Sequence, residues 1–138
     1  HRDLSPRFVF NPYFETGMTS SIQQGVKTAK EGNAFLICLG DMPFIRAAEY
    51  QFLIEQLKKR VIFDPKCIFI PFYEGKKANP ILFSTFYKDL ILAHPHPEGC
   101  RELVQQHAQH LQTVAMPSDS VLQDVDDWEA YLKISNTE

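Results

Sequence analysis

The sequence contains no apolar run near the roughly 20 residues that a membrane-spanning helix requires; its longest runs, Ala34 to Leu39 and Cys67 to Tyr73, fall far short. Charge of one sign is also lacking. The 14 Lys and Arg nearly balance the 17 Asp and Glu, for a net charge of -3, and no more than three like charges occur in succession. That argues against nucleic acid or an anionic membrane as a partner, so any phosphate must be met by local groups. The three cysteines, Cys38, Cys67 and Cys100, are odd in number and far apart, which excludes a disulfide framework. They read as reduced core thiols of a cytoplasmic protein. Neither C-x-x-C nor H-E-x-x-H accompanies His107 and His110, so those histidines are read as helix-face residues, not zinc ligands. No nucleophile elbow is present. The chain opens on His1 with neither methionine nor a signal peptide, and His1 is expected not to be the natural first residue.

At 138 residues and 44% hydrophobic content the chain supplies one core, and residues 1–138 are read as a single domain without repeats or linkers. Phe8-Val9-Phe10, ended by Asn11-Pro12, predicts a short strand. Ser20 and Gln23 have capping-box spacing ahead of Ile22, Val26 and Ala29, so a helix is expected from near Ser20. Beyond Gly32-Asn33, the continuous run Ala34 to Leu39 predicts a central parallel strand buried on both faces. Tyr50, Leu53, Ile54 and Leu57 form a helical stripe within Ala47 to Lys59. Cys67 to Tyr73 reads as a strand in which Pro71 implies an edge or a bulge, with a polar turn at Glu74 to Lys77 and a short return strand at Pro80 to Phe83. Helices are expected over Thr85 to Ala93 and Glu98 to Leu111, a strand over Thr113 to Met116, and a last helix through Trp128, Tyr131 and Leu132 behind Asp127 as N-cap. Strands alternating with helices define an α/β fold.

The apolar run beginning at Ala34 ends abruptly in Gly40-Asp41-Met42-Pro43. A carboxylate is thereby placed at the carboxyl tip of a strand, where open α/β sheets bind ligands. Mg²⁺ takes few carboxylates and fills its octahedron with water and substrate phosphates, so Asp41 is a candidate ligand; a cap on the turn fixed by Pro43 accounts for the same residue. Asp124, Asp126 and Asp127 form a second acidic group, and in extended chain Asp124 and Asp126 point to one side. One of them could complete a metal site, while a solvated loop ending in a helix cap needs nothing more. Gly17 to Ser21 offers backbone and three hydroxyls at a helix start, suited to a base, ribose or phosphate, and equally to a plain cap.

Taken in order, Phe10-Asn11-Pro12 with Gly17-Met18-Thr19-Ser20-Ser21, Leu39-Gly40-Asp41-Met42-Pro43, Pro71 through Gly75 to Asn79-Pro80-Ile81-Leu82-Phe83, and Leu122 to Asp127 span nearly the whole chain. The series resembles the molybdenum-cofactor cytidylyltransferases and the related cofactor guanylyltransferases. That resemblance implies a doubly wound, mostly parallel α/β sheet of the nucleotide-diphospho-sugar transferase, Rossmann-like type. It implies Mg²⁺-dependent transfer of a nucleotide from CTP (or GTP) to the molybdopterin cofactor, with pyrophosphate released and a molybdoenzyme as a possible recipient. Asp41 and Asp126 match the catalytic, metal-binding positions, with Asp124 beside them. Gly17, Ser20, Ser21 and Asp41 match the nucleotide-binding segment, and Asn79 and Pro80 the acceptor loop. Asp41-Met42-Pro43 is similar to the cytidylyl branch, the guanylyl branch more often having Asp-Thr-Pro.

The chain departs from the family pattern at Ala78-Asn79-Pro80, usually Gly-His-Pro, and at Asp124-Val125-Asp126-Asp127-Trp128, usually Asp-x-Asp-Thr-Pro. It also lacks the glycine-rich triphosphate loop with its Arg and Lys. The resemblance therefore implies a missing N-terminal segment of about 60 residues, two strand-helix units, and a fragment inactive by itself. Two other readings compete: a non-catalytic molybdopterin-binding module or chaperone, and a sugar-phosphate or terpenoid nucleotidyltransferase sharing the strand-tip aspartate.

Overall fold

The computed structural model describes residues 6–29, 32–127 and 131–132. Five strands, β1 (Ala34–Ile37), β2 (Ile68–Tyr73), β3 (Lys76–Lys77), β4 (Ile81–Ser84) and β5 (Leu111–Ala115), form one sheet. The helices α1 (Met18–Thr28), α2 (Ala47–Arg60), α3 (Lys88–Leu92) and α4 (Arg101–Gln106) accompany them. The α/β class expected from the alternation of patterns is the class observed. β2 pairs in parallel with β5 and antiparallel with β4, and β4 pairs antiparallel with β1. β1, β2 and β5 consequently run the same way, and their carboxyl ends lie along one edge of the sheet.

Period-2 alternation along the strands separates two cores, one on each face. Cys67, Phe69 and Leu82 point to the side covered by α2, where they meet Leu53 and Leu57. Ile68, Ile70 and Phe83 point to the other, where Val26 of α1, Ile91 of α3 and Leu103 of α4 cover them. Glu49, Leu53 and Leu57, spaced by four, are the buried stripe of α2. Burying a side chain such as Leu53 contributes about 1.5–3 kcal/mol, and the helices are held mainly by these faces, since their isolated lengths are marginal.

The β2–β3 turn has Glu74 at φ 44° and Gly75 at φ 86°. Both central residues in the left-handed region suit a two-residue hairpin. Phe72 faces Lys77, whereas Phe69 faces Leu82, so the return strand carries two more residues than β2 over this stretch. The excess is absorbed at Ala78-Asn79-Pro80, where the Asn79–Pro80 peptide is cis. The Pro71 carbonyl accepts from the Ala78 amide at 3.0 Å, the reciprocal bond to the Ala78 carbonyl is the one a proline cannot donate, and regular pairing breaks off here. Pro71 does mark a bulge, as its position in the strand implied.

Three expected elements differ. Phe8 to Phe10 form no strand, and Phe8 is 91% and Phe10 82% exposed, because no strand among the described residues pairs with them to bury an apolar run. β1 is not an interior strand: it pairs with β4 alone among the described residues and its four residues are half-buried. The helix expected over Glu98 to Leu111 is confined to Arg101–Gln106, since Gly99 has φ 79° before it and Leu111 already belongs to β5. α1 starts at Met18, two residues ahead of Ser20. Trp128 lies outside the described residues, while Tyr131 is helical and its amide bonds the Asp127 carbonyl at 3.1 Å. Among the described residues no helix is long and apolar enough to cross a membrane.

Candidate functional site

Beyond β1 the chain turns at Gly40, and Met42 and Ile45 insert into the α2-side core. Those two anchors leave Asp41 exposed at the carboxyl edge of the sheet. Beyond β5, Met116 and Val121 are anchored in the same core, and the segment then runs back toward β1. The Val125 amide donates to the Asp41 carbonyl at 2.8 Å. This bond brings the two acidic segments together, with Asp124 and Asp126 exposed on either side of Val125. No side-chain hydrogen bond or ion pair engages Asp41, Asp124 or Asp126 among the described residues.

The donor set suits Mg²⁺, which takes a few hard oxygens and keeps positions for water and phosphate. Asp41 and Asp126 are the residues that would hold it. Among the described residues there is no group of three or more His, Cys, Asp or Glu able to hold a metal by itself, so phosphate and water would have to complete the shell.

A buried carboxylate that sequence reasoning passed over braces this edge. Glu49, in the first turn of α2, is only 8% exposed. One oxygen accepts from the Arg46 amide at 2.9 Å, and the other accepts from the Ser118 and Ser120 hydroxyls, each at 2.7 Å. Burial pushes its pKa up, but the hydrogen bonds from Ser120, the Arg46 amide and Ser118, with the Arg46 charge, outweigh it and hold the carboxyl below its ordinary value. The signal available in the sequence was the Arg46-x-x-Glu49 spacing at a helix start, which marks an N-terminal cap but not a partner elsewhere in the chain.

Gly17 has φ 117°, and a Cβ there would lie 2.6 Å from both the Cβ and the carbonyl oxygen of Pro97. It is demanded by close packing. Thr19, also buried, donates to the His96 carbonyl and accepts from the Gly99 amide at 2.9 Å. Gln23 donates to the Ile91 and His94 carbonyls, both at 3.0 Å. Ser20 and Ser21 accept from the Asn11 side-chain amide at 2.8 and 3.0 Å, tying the preceding segment to the helix. Ser21 and Met18 also line a groove of about 550 Å³ that follows β1 to Gly40, next to Asp41.

On the α4 side of the same edge lies a cavity of about 650 Å³. Its floor is apolar, with Ile37, Leu39 and Ile70, and Lys77, Asn79, Glu98 and Arg101 stand around it. Asn79 reaches this cavity. Pro80 is fully buried, so its ring shapes the loop instead of presenting a surface to a ligand. Cys100 also borders it, and burial pushes that thiol up to about 11, leaving it a weak nucleophile. The histidines are spread apart in their bonding: His110 faces Asp64 at 3.2 Å and His96 faces Glu102 at 2.9 Å.

The family model described as a MobA-like NTP transferase domain matches residues 1–111, and the chain belongs to that family. Among solved structures it is similar to Rv0371c of Mycobacterium tuberculosis H37Rv, at 19% identity and a TM-score of 0.64, over 87% of this chain and 60% of that one. It is likewise similar to the homologue of that protein from Mycobacterium sp. strain JC1, at 18% identity and a TM-score of 0.69, over 88% of this chain and 58% of the other. The chain thus spans about three-fifths of the length of these two proteins, and the likeness shows the fold. A comparison with curated proteins finds no match.

Proposed function

We propose that the full-length protein is a Mg²⁺-dependent nucleotidyltransferase that moves CMP from CTP to the molybdopterin cofactor and releases pyrophosphate. Membership of the NTP transferase family supports nucleotidyl transfer in general, and the cytidylyl and molybdopterin assignments extend it on the motif around Asp41. The observation that carries the site is the bond from Val125 to the Asp41 carbonyl, which gathers the acidic segments at the sheet edge.

In this reading the chain's own groups act by positioning, and no protein nucleophile is required. Asp41 and Asp126 would hold the cation at the sheet edge, beside the reacting phosphates. Mg²⁺, when bound, supplies positive charge to the phosphate oxygens as the bond to the α-phosphorus changes hands. The groove along β1, lined in part by Met18 and Ser21, takes the nucleotide, a pyrimidine being smaller than a purine. The cavity beside Asn79 takes the acceptor: its apolar floor suits a fused ring, and Lys77 and Arg101 suit the terminal phosphate.

The test is pyrophosphate release by the full-length protein with molybdopterin and either CTP or GTP. A kcat/KM favouring CTP is expected. A ratio near one or favouring GTP removes the cytidylyl assignment only. Retained pterin binding with no pyrophosphate from any nucleotide overturns the enzyme reading in favour of a binding module.

A further inference from the structure

A helix cap needs only one oxygen of a carboxylate. Glu49 spends Oε2 on the Arg46 amide at the start of its own helix, and that bond is the cap. Oε1 is turned away from the helix, to two hydroxyls 69 and 71 residues further along the chain. Ser118 and Ser120 are themselves coupled, with their oxygens 3.0 Å apart. We infer that Glu49 is a positioning residue for the metal site: through Ser118 and Ser120 it sets where Asp126 stands relative to Asp41. This rests on the reading that Asp41 and Asp126 hold the cation.

The argument is one of attachment. Arg46 closes the loop that carries Asp41, and Met42 and Ile45 root that loop in the core. Ser120 and Val121 begin the run to Asp126; Val121 and Leu122 pack in the core that roots Met42 and Ile45, and the Val125 amide then bonds the Asp41 carbonyl. With Ser118 and Ser120 released, the segment would keep the Val125 bond and the packing of Val121 and Leu122 but lose its polar tie to α2, and the separation of the two carboxylates would widen into a distribution. A site held open to many separations binds a cation less tightly than one already at the right separation. The charged groups facing the clamp are Arg46 beside Glu49 and Asp119 between the two serines, all bordering one open cavity of about 670 Å³.

The experiment measures Mn²⁺ affinity of the full-length protein by electron paramagnetic resonance, at a temperature well below the melting point of every variant. The variants are Glu49→Ala, Glu49→Gln, the pair Ser118→Ala with Ser120→Ala, and Asp41→Asn as control. Glu49→Ala and the serine pair should each weaken Mn²⁺ about 10- to 100-fold, and combining them should add little because both break one clamp. Glu49→Gln should recover part of the affinity, since its carbonyl oxygen still accepts from the hydroxyls. Where Glu49→Ala does not fold, the serine pair, which removes only two hydroxyls, carries the comparison. Unchanged affinity in the serine pair while Asp41→Asn abolishes binding overturns the clamp and leaves the metal site standing. Intact binding in Asp41→Asn removes the metal site, and the clamp with it.

Discussion

The Val125 amide lies 2.8 Å from the Asp41 carbonyl oxygen, among the described residues the one backbone bond between the loop after β1 and the segment that follows β5. β1 and β5 are separated in the sheet by β4 and β2, so the two acidic segments meet only because each overshoots its strand and turns along the same edge. The contact orders the backbone and leaves both carboxylates exposed. It is a frame on which acidic side chains can share a cation.

Asp41→Asn in the full-length protein replaces a charged oxygen with a neutral amide, a poorer ligand for Mg²⁺. Since losing an outer-shell partner already costs about 10- to 100-fold, turnover should fall by at least about 100-fold with the fold retained. Activity measured against Mg²⁺ concentration checks this, and near-normal turnover at limiting Mg²⁺ removes Asp41 from the site.

Gly17→Ala should destabilise the protein by about 1–3 kcal/mol. The new methyl would meet Pro97 at 2.6 Å and would sit on a backbone with φ 117°, so neither a rotamer change nor a small shift relieves it. Urea unfolding of the two proteins side by side gives the difference. A loss within about 0.5 kcal/mol, the range of an ordinary surface substitution, would mean that α1 does not approach Pro97 this closely.

Glu49 makes a pH-dependent contribution whose sign follows from its lowered pKa. The folded state binds a proton there less readily than the unfolded chain does. The stabilisation is complete above the ordinary value of 4.5 and is lost as pH falls through it and on through the lower folded value. Glu49→Gln should therefore show a shallower loss of stability between about pH 5 and pH 3. Chemical unfolding midpoints across that range decide it, and parallel curves for the two proteins would place Glu49 in solvent.

The cysteines should separate by reactivity. Cys67 and Cys100 are buried core thiols as expected, whereas Cys38, one residue beyond the end of β1, is exposed. Burial raises the pKa of Cys67, and the Asp64 charge adds to it; burial alone pushes Cys100 up to about 11. Burial also raises Cys38, against a hydrogen bond with Tyr50 that lowers it, so access is what distinguishes it. Iodoacetamide at pH 8 should modify Cys38 first and reach the other two only on unfolding, as read by peptide mass spectrometry. Labelling of Cys100 as fast as Cys38 would show its cavity to be open.

Much of the local structure was readable from pattern. The apolar run ending at Gly40-Asp41 placed a carboxylate at a strand tip, the four-residue spacing through Leu53 and Leu57 marked α2, and Pro71 marked the bulge. Less readable was anything that depends on a neighbour. Phe8 to Phe10 has a strand's composition and no described strand paired with it, and β1 has an interior strand's composition with one described partner. Ser20 and Ser21 matched a nucleotide-binding motif, and the structure shows both already engaged with Asn11.

The sequence by itself determined the α/β class, the near balance of charge, and the carboxylate that follows the first strand. These are properties of single residues and of short periodicities, which local sterics and burial translate directly into strands and helices. Only the tertiary structure decided that Val125 bonds Asp41, that Gly17 packs on Pro97, and that Glu49 reaches Ser118 and Ser120. Those contacts join residues far apart along the chain. They depend on the order of strands in the sheet, which is set by the packing of two cores at once and leaves no periodic mark in the sequence.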